Sequence, residues 1–135
     1  MKETRPTLIL EERLVPAVEF HAAPKAPNFQ VRSDYSFRLD YLGENANCIA
    51  EMIHTTTAQE GEDVFKLSVT MRGFFRCEGI EGKEDKRTAH VMAYNILFPH
   101  MQAFIRGFTA DVGLPPLTVA PMPPDPERIS FEFQN

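Results

Sequence analysis

Apolar side chains recur at spacings of three and four through residues 88–121, where Tyr94, Leu97, Met101, Phe104 or Ile105, Phe108 and Val112 share one face. Asn95, His100, Gln102, Arg106 and Asp111 lie mostly off that stripe. The pattern predicts one long amphipathic helix. Pro99 has no N–H to give the carbonyl of Asn95 and its ring crowds that turn, so a kink or restart is expected there. Gly113 followed by Leu114, Pro115 and Pro116 marks the stop. A stripe of this kind is more often packing than a ligand site. Tyr94, Leu97, Met101, Phe104 and Phe108 are therefore read as facing the core or another subunit.

The rest of the chain alternates instead. Residues 64–77 make the clearest strand, with Phe65, Leu67, Val69 and Met71 on one side and Lys66, Ser68, Thr70 and Arg72 on the other. Gly73 sits inside that series, which predicts a bulge or a close backbone approach. Phe37, Leu39 and Tyr41 alternate with polar residues through 36–42. Residues 47–57 read less cleanly, because Glu51 interrupts one face and His54 ends the other. In residues 8–21, Leu10, Leu14, Val18 and Phe20 form a series broken by Glu12 and Pro16. Pro16 cannot serve a central ladder, so an edge or bulged strand is expected. The two prolines of residues 22–30 suit a crossover loop, and polar turns follow at 43–45 and 59–63. Pro121, Pro123, Pro124 and Pro126 forbid a helix in the tail, where Ile129, Phe131 and Phe133 predict a short terminal strand. The fold class is α+β: a four-stranded antiparallel sheet, a long kinked helix packed on it, and a short C-terminal strand.

Composition narrows the function. The 135 residues fit one domain, 1–135, large enough for a core without metal or disulfide staples. A net charge of −5 argues against a nucleic-acid surface, and the one basic cluster, Lys83 to Arg87, carries Glu84 and Asp85 within it. No apolar run approaches the ~18 residues of a membrane span. Met1 to Arg5 leads only into Leu8-Ile9-Leu10, too short for a signal-peptide core, so a cytoplasmic protein is expected. Cys48 and Cys77 are read as free thiols, with a disulfide left open.

Catalytic patterns are missing. His21, His54, His90 and His100 lack metal-ligand spacing, and no phosphate loop or nucleophile motif is present. Glu11 and Glu12 are adjacent, so they would point to opposite faces of a strand. A binding module without cofactor or metal fits better than an enzyme.

Asn95-Ile96-Leu97-Phe98-Pro99 followed by Gly113-Leu114-Pro115-Pro116-Leu117-Thr118-Val119-Ala120-Pro121 resembles the SecB export-chaperone family. Val18 to Pro27 is similar to the end of that family's first strand and its crossover, and Gly73 to Gly82 to the segment leading into its long helix. The resemblance implies a dimer or dimer of dimers with helices in the inner interface. It also implies ATP-independent holding of unfolded, often export-bound, polypeptides in apolar grooves. A chain with eleven Phe and no Trp suits the work of keeping apolar surface available, at about 25 cal/mol per Å². Surface of that kind needs a cover or a second subunit to stay soluble.

Two features depart from the family pattern. The acidic positions that dock the SecA motor align with Ala17, His21 and Ser68, beside Lys66, so that docking site is missing. The family's C-terminal helix is replaced by the prolines and residues 129–133. Candidate client-binding residues are Phe29 on the crossover, Phe74 on the otherwise polar strand face, and Leu114 and Leu117 in the exit. Burial in a core is the alternative for each. The functions in competition are a general holdase, a dedicated chaperone of one partner such as an antitoxin, and a small enzyme around His54 and His90.

Overall fold

Four strands precede one helix: β1 (Thr7–Ala22), β2 (Val31–Leu42), β3 (Asn47–Ala58), β4 (Phe65–Glu78) and α1 (Lys83–Asp111). The structure is a computed structural model that describes residues 5–23 and 30–119. Every strand pair is antiparallel, and the sheet order is β1-β4-β3-β2. Strands β2, β3 and β4 are successive neighbours, whereas β1 and β2, consecutive in sequence, occupy opposite edges. The predicted terminal strand at 129–133 and candidate Phe29 lie outside the described residues.

The alternation explains the core. Phe65, Leu67, Val69, Met71, Phe75 and Cys77 of β4 point to the helix side, together with Cys48, Ala50 and Met52 of β3 and Leu39 and Tyr41 of β2, all buried. Fully burying one large apolar side chain stabilises by roughly 1.5–3 kcal/mol, so this layer supplies most of the driving force. Strand β3 does not end its inner face at His54. His54 and Thr56 are themselves buried there, and Ser33 of β2 hydrogen-bonds Thr56 across the strand (3.0 Å). That polar pair also explains why β2 begins at Val31, ahead of its apolar alternation. Glu51 faces the other way, where it pairs with Arg72 (3.1 Å) and Arg38 (3.6 Å).

Strand β1 is an edge strand with two register shifts, between Leu10 and Glu12 and between Leu14 and Ala17, the second containing Pro16. Each shift turns the chain over. Leu10 pairs with Phe75 on the core side, Leu14 with Arg72 on the outer side, and Val18 with Val69 on the core side again. The series Leu10, Leu14, Val18 is therefore not one face. Gly73 is not bulged, since its pairing with Ala50 and Arg13 is regular. It marks a close approach: a Cβ there would sit 3.1 Å from the side chains of Leu10, Leu97 and Phe75.

Helix α1 has 29 residues, about 43 Å of rise. It crosses from β2 to β1. Near its start Phe37 meets His90 and Tyr94 edge-on (5.0 and 5.6 Å), and near its end Phe108 meets Phe20 of β1 (5.3 Å). The expected restart at Pro99 does not occur; the helix continues through it. Pro99 and Asn95 are both exposed, so the carbonyl that loses its partner faces water, while buried Leu97, Phe98 and Met101 anchor the turns on either side. The helix stops where the sequence indicates, with Gly113 at a φ of +92 and the N–H of Leu114 donating to the carbonyl of Thr109 (2.9 Å).

Candidate functional site

Past Gly113 the chain doubles back along the C-terminal half of α1. One hydroxyl holds the return. Thr109, 1% exposed, donates through Oγ1 to the carbonyl of Ile105 (2.9 Å) and accepts the N–H of Leu117 (2.9 Å). Farther along, Nε2 of Gln102 donates to the carbonyl of Val119 (2.8 Å). Between helix and returning segment lies a cleft of about 250 Å³ lined by Pro99, Gln102, Ala103, Arg106, Leu117, Thr118 and Val119. Pro99, Ala103, Leu117 and Val119 make up its apolar lining, and Gln102, Arg106 and Thr118 its polar part. Ala103 makes the room, because any larger residue there would project into the space. An apolar cavity of about 150 Å³ accommodates benzene, so this cleft is scaled to one or two apolar side chains rather than to a whole cofactor. Among the described residues, the one charged side chain in its lining is Arg106, a guanidinium that offers donors and no acceptor.

The candidate residues do not converge on one place. Leu117 lines the cleft, and Leu114 is half-buried at the start of the return without reaching it. Phe74 is on the opposite face of the sheet, half-buried, paired with Ile49 on one side and Glu12 on the other. In the helix stripe, Tyr94, Leu97 and Met101 are buried in the core. Phe104 and Phe108 are half-buried, stacked on each other at 6.0 Å. Gln102, Ala103 and Arg106 also line the cleft, and because they lie off that stripe the periodicity does not single them out. The one available signal was a small and two polar side chains clustered opposite an apolar exit.

His54 and His90 do not form a pair. His54 leans on Phe98 (6.4 Å) and His90 on Phe37 (5.0 Å), and the eight residues from 90 to 98 span ~12 Å of helix. Burial holds both imidazoles below their ordinary pKa, His90 at about 4, and neither nitrogen of His54 has a hydrogen-bond partner among the described residues. Both are neutral core residues at pH 7. No group of three or more His, Cys, Asp and Glu side chains among the described residues could hold a metal. No helix among them is long and apolar enough to cross a membrane.

The positions aligned with docking acids do come together on the outer face, where Ala17 pairs with Thr70, Glu19 with Ser68 and His21 with Lys66. Glu19 is the one carboxylate in that set, and Lys66 neutralises it (3.3 Å).

The family model described as "Preprotein translocase subunit SecB" matches residues 10–124. The chain belongs to the SecB family. Among solved structures, this SecB-family chain is similar to the Mycobacterium tuberculosis Rv1957 SecB-like chaperone, which was solved in complex with a ChAD peptide from the Rv1956 HigA1 antitoxin. The TM-score is 0.66 at 16% identity, over 84% of this chain and 86% of that one. It is also similar to a Streptococcus agalactiae protein of unknown function, with a TM-score of 0.54 at 13% identity over 87% of this chain and 99% of that one. No curated protein is matched in sequence. At these identities the likeness is one of fold: the four-stranded antiparallel sheet with its long helix.

Proposed function

We propose that this SecB-family chain is an ATP-independent holding chaperone that captures apolar side chains of unfolded polypeptides in the cleft between α1 and residues 114–119. The observation that carries the reading is the cleft itself: largely apolar walls and an opening to solvent, with no acid, thiol or histidine among the described lining residues. It works as a single domain, 1–135, in the cytoplasm, without enzymatic activity or cofactor. Self-association, as a homodimer or dimer of dimers, belongs to β1. That strand leaves Ile9 (50% exposed) and Leu14 (38%) in water on its outer side and Val18 (40%) on its core side, apolar surface at a sheet edge that a monomer has reason to cover. Docking of the SecA motor is not part of this function, since Ala17, His21 and Ser68 stand at the aligned acidic positions and the neighbouring Glu19 shares Lys66 with Glu62. The test is aggregation of a reduced, unfolded client. Suppression at near-equimolar chain supports the reading, and an unchanged aggregation rate removes it.

A narrower reading, a chaperone dedicated to one partner, is favoured by the antitoxin peptide carried by the M. tuberculosis neighbour and by the missing docking acids. Affinity purification from cells separates the two, because a dedicated chaperone returns one dominant partner and a general holdase many unrelated chains.

A further inference from the structure

Cys48 on β3 and Cys77 on β4 stand 29 residues apart in sequence, yet the sheet register sets them diagonally on the same core-facing side. Cys48 pairs with Phe75, and the N–H of Cys77 donates to the carbonyl of Ala46 (2.8 Å). Their Sγ atoms are 3.3 Å apart, both thiols are free, and they are 1% and 5% exposed. Two thiols in contact with each other and almost out of water are placed for intramolecular chemistry and protected from linking to another chain.

We propose that Cys48 and Cys77 form a reversible dithiol–disulfide couple, a modification site that takes low-molecular-weight disulfides such as oxidised glutathione as its oxidant and clips β3 to β4 beneath the root of α1. The exchange balances. The Cys77 thiolate attacks one sulfur of oxidised glutathione, whose S–S bond breaks; the departing glutathione thiolate takes up the proton that Cys77 gave. The Cys48 thiolate then attacks Sγ of Cys77 in the mixed disulfide and expels the second glutathione, which takes up the Cys48 proton. Two protein thiols are oxidised and one glutathione disulfide is reduced to two thiols.

Cys77 is the residue reached first. It is the more exposed of the two and pairs with Leu8, near the end of edge strand β1, where local opening costs least. Once Cys77 ionises, the Cys48 thiol donates to it, which favours the Cys77 thiolate as the first attacking group; in the mixed disulfide that bond is gone, and Cys48 gives up its proton to resolve it. The clip lies beside the turn into α1, where Nδ2 of Asn45 already donates to the carbonyl of Ile80 (3.4 Å). The client cleft begins at Pro99, sixteen residues beyond Lys83 and ~24 Å along the helix. Oxidation therefore stiffens one end of the molecule and leaves the other unchanged, whatever the chain binds there.

The folded full-length chain is treated with oxidised glutathione, quenched in acid and weighed intact. The expected product has lost two hydrogens, retains no glutathione, stays a single chain on a non-reducing gel, and melts on the order of 10 °C higher than after dithiothreitol. Cys48→Ser treated in the same way keeps one glutathione on Cys77. The proposal is overturned if the folded chain retains both thiols under conditions that oxidise them in the urea-unfolded chain. Chains linked in pairs, or an oxidised form that melts at or below the reduced one, overturn it equally.

Discussion

The hydroxyl of Thr109 decides whether the return segment stays on the helix. It accepts the N–H of Leu117 while donating within α1, so Thr109→Val keeps the shape and removes the acceptor. A buried N–H without a partner costs about 1–3 kcal/mol. The expected outcome is faster amide exchange at Leu117 by roughly 5- to 150-fold, with the exchange of β3 and β4 amides unchanged. His90 acts on the whole fold through pH. Its folded-state pKa is pushed to about 4 by burial, against about 6.5 for an exposed imidazole. Between those values the unfolded chain binds a proton that the folded chain refuses. The contribution is thus fully present above about pH 6.5 and is lost as pH falls toward 4. The shift corresponds to no more than about 3 kcal/mol, and less once solvent screening is allowed for. His54, also lowered by burial, adds to the loss with the same sign, while Asp34 opposes it. Chemical denaturation at pH 7 and pH 4.5 should show the fall, and His90→Phe should flatten it; an equal pH dependence in the variant would remove His90 as the cause.

Among the elements, α1 carries the clearest conflict between local propensity and tertiary packing. An interior proline costs a helix about 3 kcal/mol relative to alanine, yet α1 runs through Pro99 because its buried neighbours hold it against the sheet. Pro99→Ala restores a donor for Asn95 and should raise the melting temperature, while stripping one wall from the cleft and weakening client binding. A variant that gains stability and binds as before would show that the ring serves neither. The same tension sets what residues alone can reveal. Strand β4 is legible because its alternation is uninterrupted, and the edge role of β1 follows from Pro16. The start of β2 is hidden by Ser33, which satisfies a core-facing position by hydrogen bonding to Thr56 instead of by being apolar. The facing of Leu14 is hidden by bulges, which leave no mark on a periodicity count. The cleft is half legible. Leu117 stands out as an apolar residue in an exit loop. Gln102, Ala103 and Arg106 become a wall only when the chain doubles back, and the Thr109–Leu117 bond that makes it do so spans eight residues with no repeating signature.

At the scale of the whole molecule, apolar surface is offered in three directions: the cleft on the helix side, the β1 edge, and the outer face around Phe74 and Ile49. A holdase reading is specific only if one of these does the capturing. Ala103→Phe places an aromatic ring in the 250 Å³ cleft from an exposed helix position, so it fills the space without disturbing the core. Excluding one client side chain removes roughly 1.5–3 kcal/mol of burial, a loss of about 10- to 150-fold in affinity for an unfolded peptide. Phe74→Ala on the opposite face should leave that affinity unchanged, because the described cleft residues all lie on α1 and the segment returning along it. Light scattering on Phe74→Ala should return the mass of the parent assembly, since Phe74 lies on neither β1 nor α1, and the same measurement on Ala103→Phe separates a lost cleft from a lost subunit contact. If the peptide affinity follows Phe74 and ignores Ala103, capture occurs on the outer sheet, and the cleft is only the seam where the returning segment meets its helix.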